Sequence, residues 1–271
     1  AASDVYKRQV LTFVREVCLK PRLYDGVMLD CLWHDPPAEM DVNRDGRLDP
    51  SDGAVWRDGM VGLLVTLRAE FPNAILVGNG GLPWPGECPY YEFANGCMHE
   101  NALGDHFGGP DWAVLWDSYR RAVSRSKRHP VVQLVQVDVR ADGRSLKDAL
   151  RLRSLTRQDL RRFRLGYATT LLLDGGYFGF DRGDCLHGQL WWFDMYDYDL
   201  GKPLETYREG ELGPGLLSRR FEHGIVFVNP TDKSVAIDGR AVSVARDVRA
   251  GKEMLVIPAR DAVLIYQPQR R

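Results

Sequence analysis

Short apolar runs that stop at a polar residue alternate along this chain with longer stretches of helical period. Residues 24–29 form one such run and end on Asp30, and residues 74–78 end on Asn79. Residues 93–98 lead to His99 and Glu100, the β-branched run 131–137 leads to Asp138, and 176–180 lead to Asp181. Continuous apolar runs mark strands covered on both faces, as in parallel sheets. Between them, apolar residues recur every three to four positions. The stripe over 53–71 holds Trp56, Met60, Leu63, Leu64, Leu67 and Phe71, and that over 111–127 holds Trp112, Leu115, Trp116, Tyr119 and Val123. Both predict helices with one buried face. Residues 10–19 read as the end of a helix and 157–173 as a further helix. Strands alternating with helices predict βα units around a parallel sheet.

The pattern changes near residue 213. Short runs at 224–228, 234–237, 253–257 and 262–266 are separated by Asn-Pro, Asp-Gly, Ala-Gly and Pro-Ala-Arg-Asp turns, with no helical period. A small antiparallel β-sandwich over 213–271 is the expected second domain. Five βα-type strands precede it, whereas a closed (β/α)8 barrel has eight. The expectation is therefore a partial TIM barrel over 10–212, carrying the fourth to eighth strands. Residues 1–9 resemble the translated scar of a sequencing adapter, which fits a chain cut before its fourth strand. The runs 24–29 and 176–180 would then be open edges, and the fragment alone would be inactive.

Composition narrows the field by exclusion. Of the 271 residues 44% are apolar and 27% charged, and the formal net charge is −1. These values give no electrostatic argument for nucleic acid or an anionic membrane. The basic stretch 151–164 reads as a solvated helix face. No apolar run is long enough to span a membrane. The five cysteines form no C-x-x-C pair, which removes zinc, although Cys88 and Cys97 flank one loop and a disulfide between them is open. Ala1–Gln9 is polar and has no signal-peptide core. With the natural start taken as missing, an extracellular or periplasmic site is favoured over the cytoplasm, and oligomeric state is left open.

The strand tips carry the candidate chemistry. In barrel enzymes residues at the C-terminal ends of strands face the active site. Asp30, Asn79, Glu100, Asp138 and Asp181 would form such a rim, with His99 beside them. Several acids without a Ser-His or metal-His pattern suit glycoside hydrolysis, in which one carboxyl donates a proton and another attacks or activates water. The plain alternative is that such acids cap helices or pair with arginines. Aromatic residues at Trp84, Tyr90, Tyr91 and 191–198, Trp191 included, could stack on sugar C–H faces, while domain packing explains the second group equally well.

Asp41-Val-Asn-Arg-Asp-Gly-Arg-Leu-Asp-Pro-Ser-Asp52 has the spacing of a calcium loop. Side-chain oxygens fall at Asp41, Asn43, Asp45, Asp49 and Asp52, the Arg47 carbonyl would join them, and Gly46 makes the sharp turn. The loop resembles dockerin and EF-hand loops and ends on Asp rather than Glu. The alternative is an Asp-rich turn with Asp52 as a helix N-cap.

The runs Tyr24-Asp-Gly-Val-Met-Leu-Asp30, Asn95-Gly-Cys-Met-His-Glu100 and Gly176-Tyr-Phe-Gly-Phe-Asp181 resemble the hypothetical glycosyl hydrolase families of TIM-barrel type. So do Trp191-Trp-Phe-Asp-Met-Tyr-Asp-Tyr-Asp-Leu-Gly-Lys-Pro203 and Gly224-Ile-Val-Phe-Val-Asn-Pro230. The resemblance covers about residues 22–268 and implies a barrel fold, a carbohydrate substrate and hydrolase activity. Within the wider barrel glycosidases the arrangement is most similar to the α-galactosidase type. That similarity implies Asp30 as nucleophile and Glu100 as acid/base across the barrel mouth, with Glu where that type has Asp. A non-catalytic carbohydrate-binding barrel or pseudoenzyme, and a calcium-dependent assembly module, are the competing expectations.

Overall fold

The structure, a computed structural model, describes residues 2–36, 38–49, 53–81, 84–104, 111–138, 155–181, 191–239 and 254–268. Helix α1 (Ala2–Phe13) continues into a π-helical turn, Val14–Leu19. Residues 2–9, set apart above by their sequence, thus belong to the first helix. The chain then alternates through β1 (Gly26–Leu29), α2 (Ala54–Glu70), β2 (Ile75–Asn79), β3 (Gly96–Ala102), α3 (Trp112–Arg125), β4 (Gln133–Asp138), α4 (Arg157–Thr170) and β5 (Gly176–Asp181). These five strands form one sheet in sequence order, with β1 and β5 at its ends. Val27 pairs with Leu76 and Val77 with Gly96 in parallel register. The alternation of continuous apolar runs with stretches of helical period is therefore matched by strands and helices.

Compactness divides the chain into two units, Ala1–Glu100 with Asp117–Leu134, and Asn101–Trp116 with Val135–Arg271. This division falls elsewhere than the composition break near 213. In the first unit Leu64 and Leu67 of α2 are fully buried, and a cluster of Leu32, Leu64, Trp84, Tyr90, Tyr91 and Cys97 lies against the sheet. Gly78 makes room for it: a Cβ there would lie 2.3 Å from the Trp84 ring. Arg68 sits within the apolar stripe of α2, 8% exposed. Its guanidinium donates to the carbonyls of Phe93, Pro72 and Ala74 and to Asn95 Oδ1. A buried arginine is tolerated there because its donors meet carbonyls that would otherwise lack partners. The inward face of α3 carries Leu115, Trp116, Ser118, Tyr119 and Ala122, so Ala122 replaces the expected Val123 as the fully buried residue.

In the second unit α4 begins with a capping box between Thr156 and Asp159. Beyond β5 come β6 (Arg208–Glu209), β7 (Leu217–Phe221), β8 (Gly224–Asn229), β9 (Val235–Asp238), β10 (Met254–Ile257) and β11 (Asp261–Tyr266). They form a four-stranded sheet in the order β11-β8-β7-β6 and a two-stranded sheet of β10 and β9, with antiparallel pairing. Phe227, Ile225, Val235, Ile237 and Ile257 share one apolar cluster. The sequence pattern misses β7 because Leu-Ser-Arg-Arg-Phe has no apolar alternation. Arg219, only 4% exposed, is buried with its charge met by Asp174 Oδ1 at 2.7 Å and the Leu171 carbonyl at 3.1 Å.

Candidate active site

Three neighbouring strands bring the first candidate residues together. Asp30 follows the last residue of β1, and Asn79 closes β2. Leu29 is level with Gly78, so Asp30 stands opposite Asn79. Asn79 is level with Met98 on β3. Side chains alternate along a strand, so Glu100, two residues on, shares the face of Met98. The acids come from β1 and β3, two strands apart with β2 between them, and Glu100 lies within β3 rather than past its end.

Asn79 joins them. Its Nδ2 donates to Asp30 Oδ1 at 3.0 Å and to Glu100 Oε2 at 3.1 Å. Its Oδ1 accepts the Gly81 N–H at 2.9 Å. A backbone N–H can only donate, so this last bond fixes which end of the amide faces the acids. With both oxygens within 3.0 and 3.1 Å of one nitrogen, they stand no more than 6.1 Å apart. Asn79 is 6% exposed, Asp30 is exposed and Glu100 half-buried, so a buried amide holds two accessible carboxylates. Cys31, directly after Asp30 in the chain, is an exposed thiol.

Other expected site residues lie elsewhere. His99 is 3% exposed, on the face of β3 opposite Glu100, with Nδ1 3.1 Å from Ser118 Oγ on α3. Burial pushes it down to about 4, so it is a neutral core residue rather than a substrate contact. Trp84 is 1% exposed and donates to the Leu32 carbonyl at 3.0 Å, with Tyr90 and Tyr91 against its ring. That loop is core, with no ring face left for a sugar. Cys88 and Cys97 are free thiols in the same cluster, each pushed up to about 12 by burial.

In the second unit, Gln136 Nε2 donates to Asp181 Oδ2 at 3.4 Å, while Gln136 Oε1 accepts the Asn101 N–H at 2.7 Å. Asp138 ends β4, and its side chain lies outside the described residues. Trp191 is half-buried. Among its neighbours, Phe193 stacks on Phe163 at 3.6 Å, Tyr196 packs edge-on to the same ring, and Tyr198 stacks on Tyr266. Packing accounts for these three rings, whereas Trp192 is 71% exposed.

The loop 41–49 folds back on itself through its oxygens. Asp45 N–H donates to Asp41 Oδ1 at 3.0 Å and Asn43 Oδ1 at 2.9 Å, and Gly46 N–H donates to Asp41 Oδ2 at 2.8 Å. Asp45 Oδ1 accepts the Arg47 N–H, and Asp49 Oδ2 accepts the Val42 N–H. Gly46 is left-handed at φ 88°, where only glycine turns without strain. Hard oxygen donors gathered on one turn suit calcium. Among the described residues, however, no three carboxylate, thiol or imidazole groups already converge as ligands. Asp52 lies outside the described residues. The N-cap of α2 is Gly53, without a side-chain bond, which removes the alternative of Asp52 as that cap.

The fold is mixed α/β, built on one five-stranded sheet. The chain belongs to the hypothetical glycosyl hydrolase family 15, whose model matches residues 7–225. No curated protein matches it. It is similar to a cyclic alpha-maltosyl-(1→6)-maltose hydrolase from Arthrobacter globiformis in complex with that cyclic sugar (14% identity, 95% of this chain and 59% of that one, TM-score 0.45). A noncanonic maltogenic alpha-amylase from Thermotoga neapolitana is similar at 11% identity, covering 97% of this chain and 63% of that one, TM-score 0.42. A glycoside hydrolase family 5 protein from Bacteroides vulgatus is similar at 8% identity, covering 80% and 56%, TM-score 0.36. The chain thus spans 56% to 63% of these three structures' lengths. No helix among the described residues is long and apolar enough to cross a membrane.

Proposed function

We propose that this protein hydrolyses glycosidic bonds with retention of configuration, Asp30 acting as nucleophile and Glu100 as acid/base. The observation that carries this reading is the Asn79 amide that spans the two carboxylates. A retaining pair stands about 5–5.5 Å apart, whereas an inverting pair needs about 6.5–9.5 Å to admit water. Asp30, oriented by the Asn79 amide, attacks the anomeric carbon. Glu100, half-buried, protonates the leaving oxygen and then takes a proton from the water that releases the sugar. Asp138 and Asp181, at the tips of β4 and β5, are read as sugar-hydroxyl acceptors, and half-buried Trp191 as an apolar neighbour for a sugar ring.

Asp41, Asn43, Asp45, the Arg47 carbonyl, Asp49 and Asp52 would hold one structural calcium. Bound there, the ion supplies only charge to order the loop between β1 and α2. The antiparallel strands β6–β11 are read as an accessory sandwich. A calcium loop of this kind favours work outside the cytoplasm.

Two variants test the pair. Asp30→Asn should abolish hydrolysis. Glu100→Gln should slow substrates with poor leaving groups by about 10²–10⁴ while sparing aryl glycosides with activated leaving groups. Hydrolysis that survives Asp30→Asn would remove the assignment, and sugar binding without turnover in the unaltered protein would favour a non-catalytic barrel.

A further inference from the structure

Asn79 is the last residue of β2, and the fold fixes it through its backbone and through both ends of its amide. Its carbonyl accepts the Leu32 N–H at 2.7 Å, where the chain leaves β1. Gly81, left-handed at φ 67°, turns the chain back so that its N–H reaches Asn79 Oδ1 at 2.9 Å. Glycine takes that conformation without strain. The amide cannot flip, because the reversed group would set NH2 against the Gly81 N–H, donor against donor. Nδ2 has two N–H bonds and two acceptors, Asp30 Oδ1 at 3.0 Å and Glu100 Oε2 at 3.1 Å. Both donors are thus spent within the protein, and neither remains for a sugar hydroxyl.

We propose that Asn79 is a positioning residue for both acids and decides which oxygen of each one reacts. The inference rests on the Asp30–Glu100 reading of the site. A carboxyl oxygen that accepts from an N–H cannot also point a proton at that donor. The proton that Glu100 gives to the leaving oxygen therefore sits on Oε1. Asp30 Oδ1 is likewise turned to the amide, which leaves Oδ2 to attack. The bond from Oδ2 to the anomeric carbon forms as the bond to the leaving oxygen breaks, and that oxygen takes the Oε1 proton. Water then gives a proton back to Oε1 and its oxygen displaces Oδ2. One planar NH2 holds groups from two strands in this geometry before any sugar arrives.

Solution NMR of protein labelled with nitrogen-15 at asparagine reads the two side-chain protons of Asn79 without any substrate, and Asn79→Ala identifies them by their loss. Charge-assisted hydrogen bonds are the stronger ones. Asp30→Asn should therefore move one of these protons upfield, and Glu100→Gln the other. A pair of resonances that stays in place in either variant overturns the proposal. In hydrolysis, Asn79→Ala should lower kcat by about 10²-fold, the cost of a small misplacement of reacting groups. KM should barely change, because the amide does not touch the sugar. The loss on poor leaving groups should shrink in the Glu100→Gln background, since groups in contact do not act additively. A raised KM with kcat unchanged would make Asn79 a sugar contact and overturn the proposal, as would equal losses in the two backgrounds. The two readings fail separately. Shifted resonances with no glycoside cleaved keep the hold of Asn79 on both acids and remove the catalytic reading. Unmoved resonances with hydrolysis lost in Asp30→Asn remove the role of Asn79 alone.

Discussion

His99 and Glu100 are neighbours in sequence with opposite surroundings, because a strand turns successive side chains to opposite faces. Glu100 meets Asn79 at the strand tips, while His99 is sealed against Ser118 and the Tyr119 ring on α3. The buried ring stays neutral down to about 4, whereas in the unfolded chain a histidine takes its proton near 6.5. Its contribution to stability is therefore complete above about pH 6.5 and is lost as pH falls towards 4. That loss is on the order of 3 kcal/mol. Urea unfolding at pH 7 and pH 4.5 should show a smaller pH difference for His99→Gln than for the unaltered protein. Equal differences in the two proteins would place the acid sensitivity in other groups.

At the scale of an element, the segment between β1 and α2 is long, polar and tied to itself by Asx-type bonds from Asp41, Asn43 and Asp45. A ligand that binds the folded form alone stabilises it by mass action, about 2.7 kcal/mol at one hundred times Kd. For a chain of this size that corresponds to roughly 5–10 °C in Tm. Melting with calcium and with excess chelator should differ by that amount, and Asp45→Ala should erase the difference. Identical melting in calcium and chelator would leave the loop a self-bonded turn. The neighbouring helix α2 carries the opposite lesson. Its apolar stripe is legible, yet Arg68 on the same face is buried, because five hydrogen bonds meet its guanidinium.

Across the molecule, ion pairs differ in worth according to burial. In the second unit Arg164 of α4 holds Asp261 of β11 in a two-pronged contact at 2.7 and 2.6 Å, with the Asp261 side chain 4% exposed. Arg260 and Asp232 form a pair in which both side chains are more than 70% exposed. Removing one member of a buried pair strands the other, at a cost of about 3–5 kcal/mol, whereas an exposed pair contributes about 0–1 kcal/mol. Asp261→Asn should lower the urea midpoint clearly, and Asp232→Asn should leave it nearly unchanged. Comparable shifts in the two variants would show that helix α4 does not depend on this contact with the β-strands.

The sequence by itself determined the order and kind of the main elements, because hydrophobic period follows backbone geometry whatever packs outside. It also determined that Asp30, Asn79 and Glu100 end or nearly end their strands, since an apolar run that stops at a polar residue marks where a buried strand emerges. Tertiary structure decided which polar groups meet. Strand register set Asn79 between two acids. Strand alternation turned His99 inward, and the space left by Gly78 drew Trp84 into the core. Strand β7 was hidden from any pattern of alternation because its Arg219 is buried by partners on segments far away in the chain. Burial of a charge depends on where its partners fold, and no local window of sequence contains them.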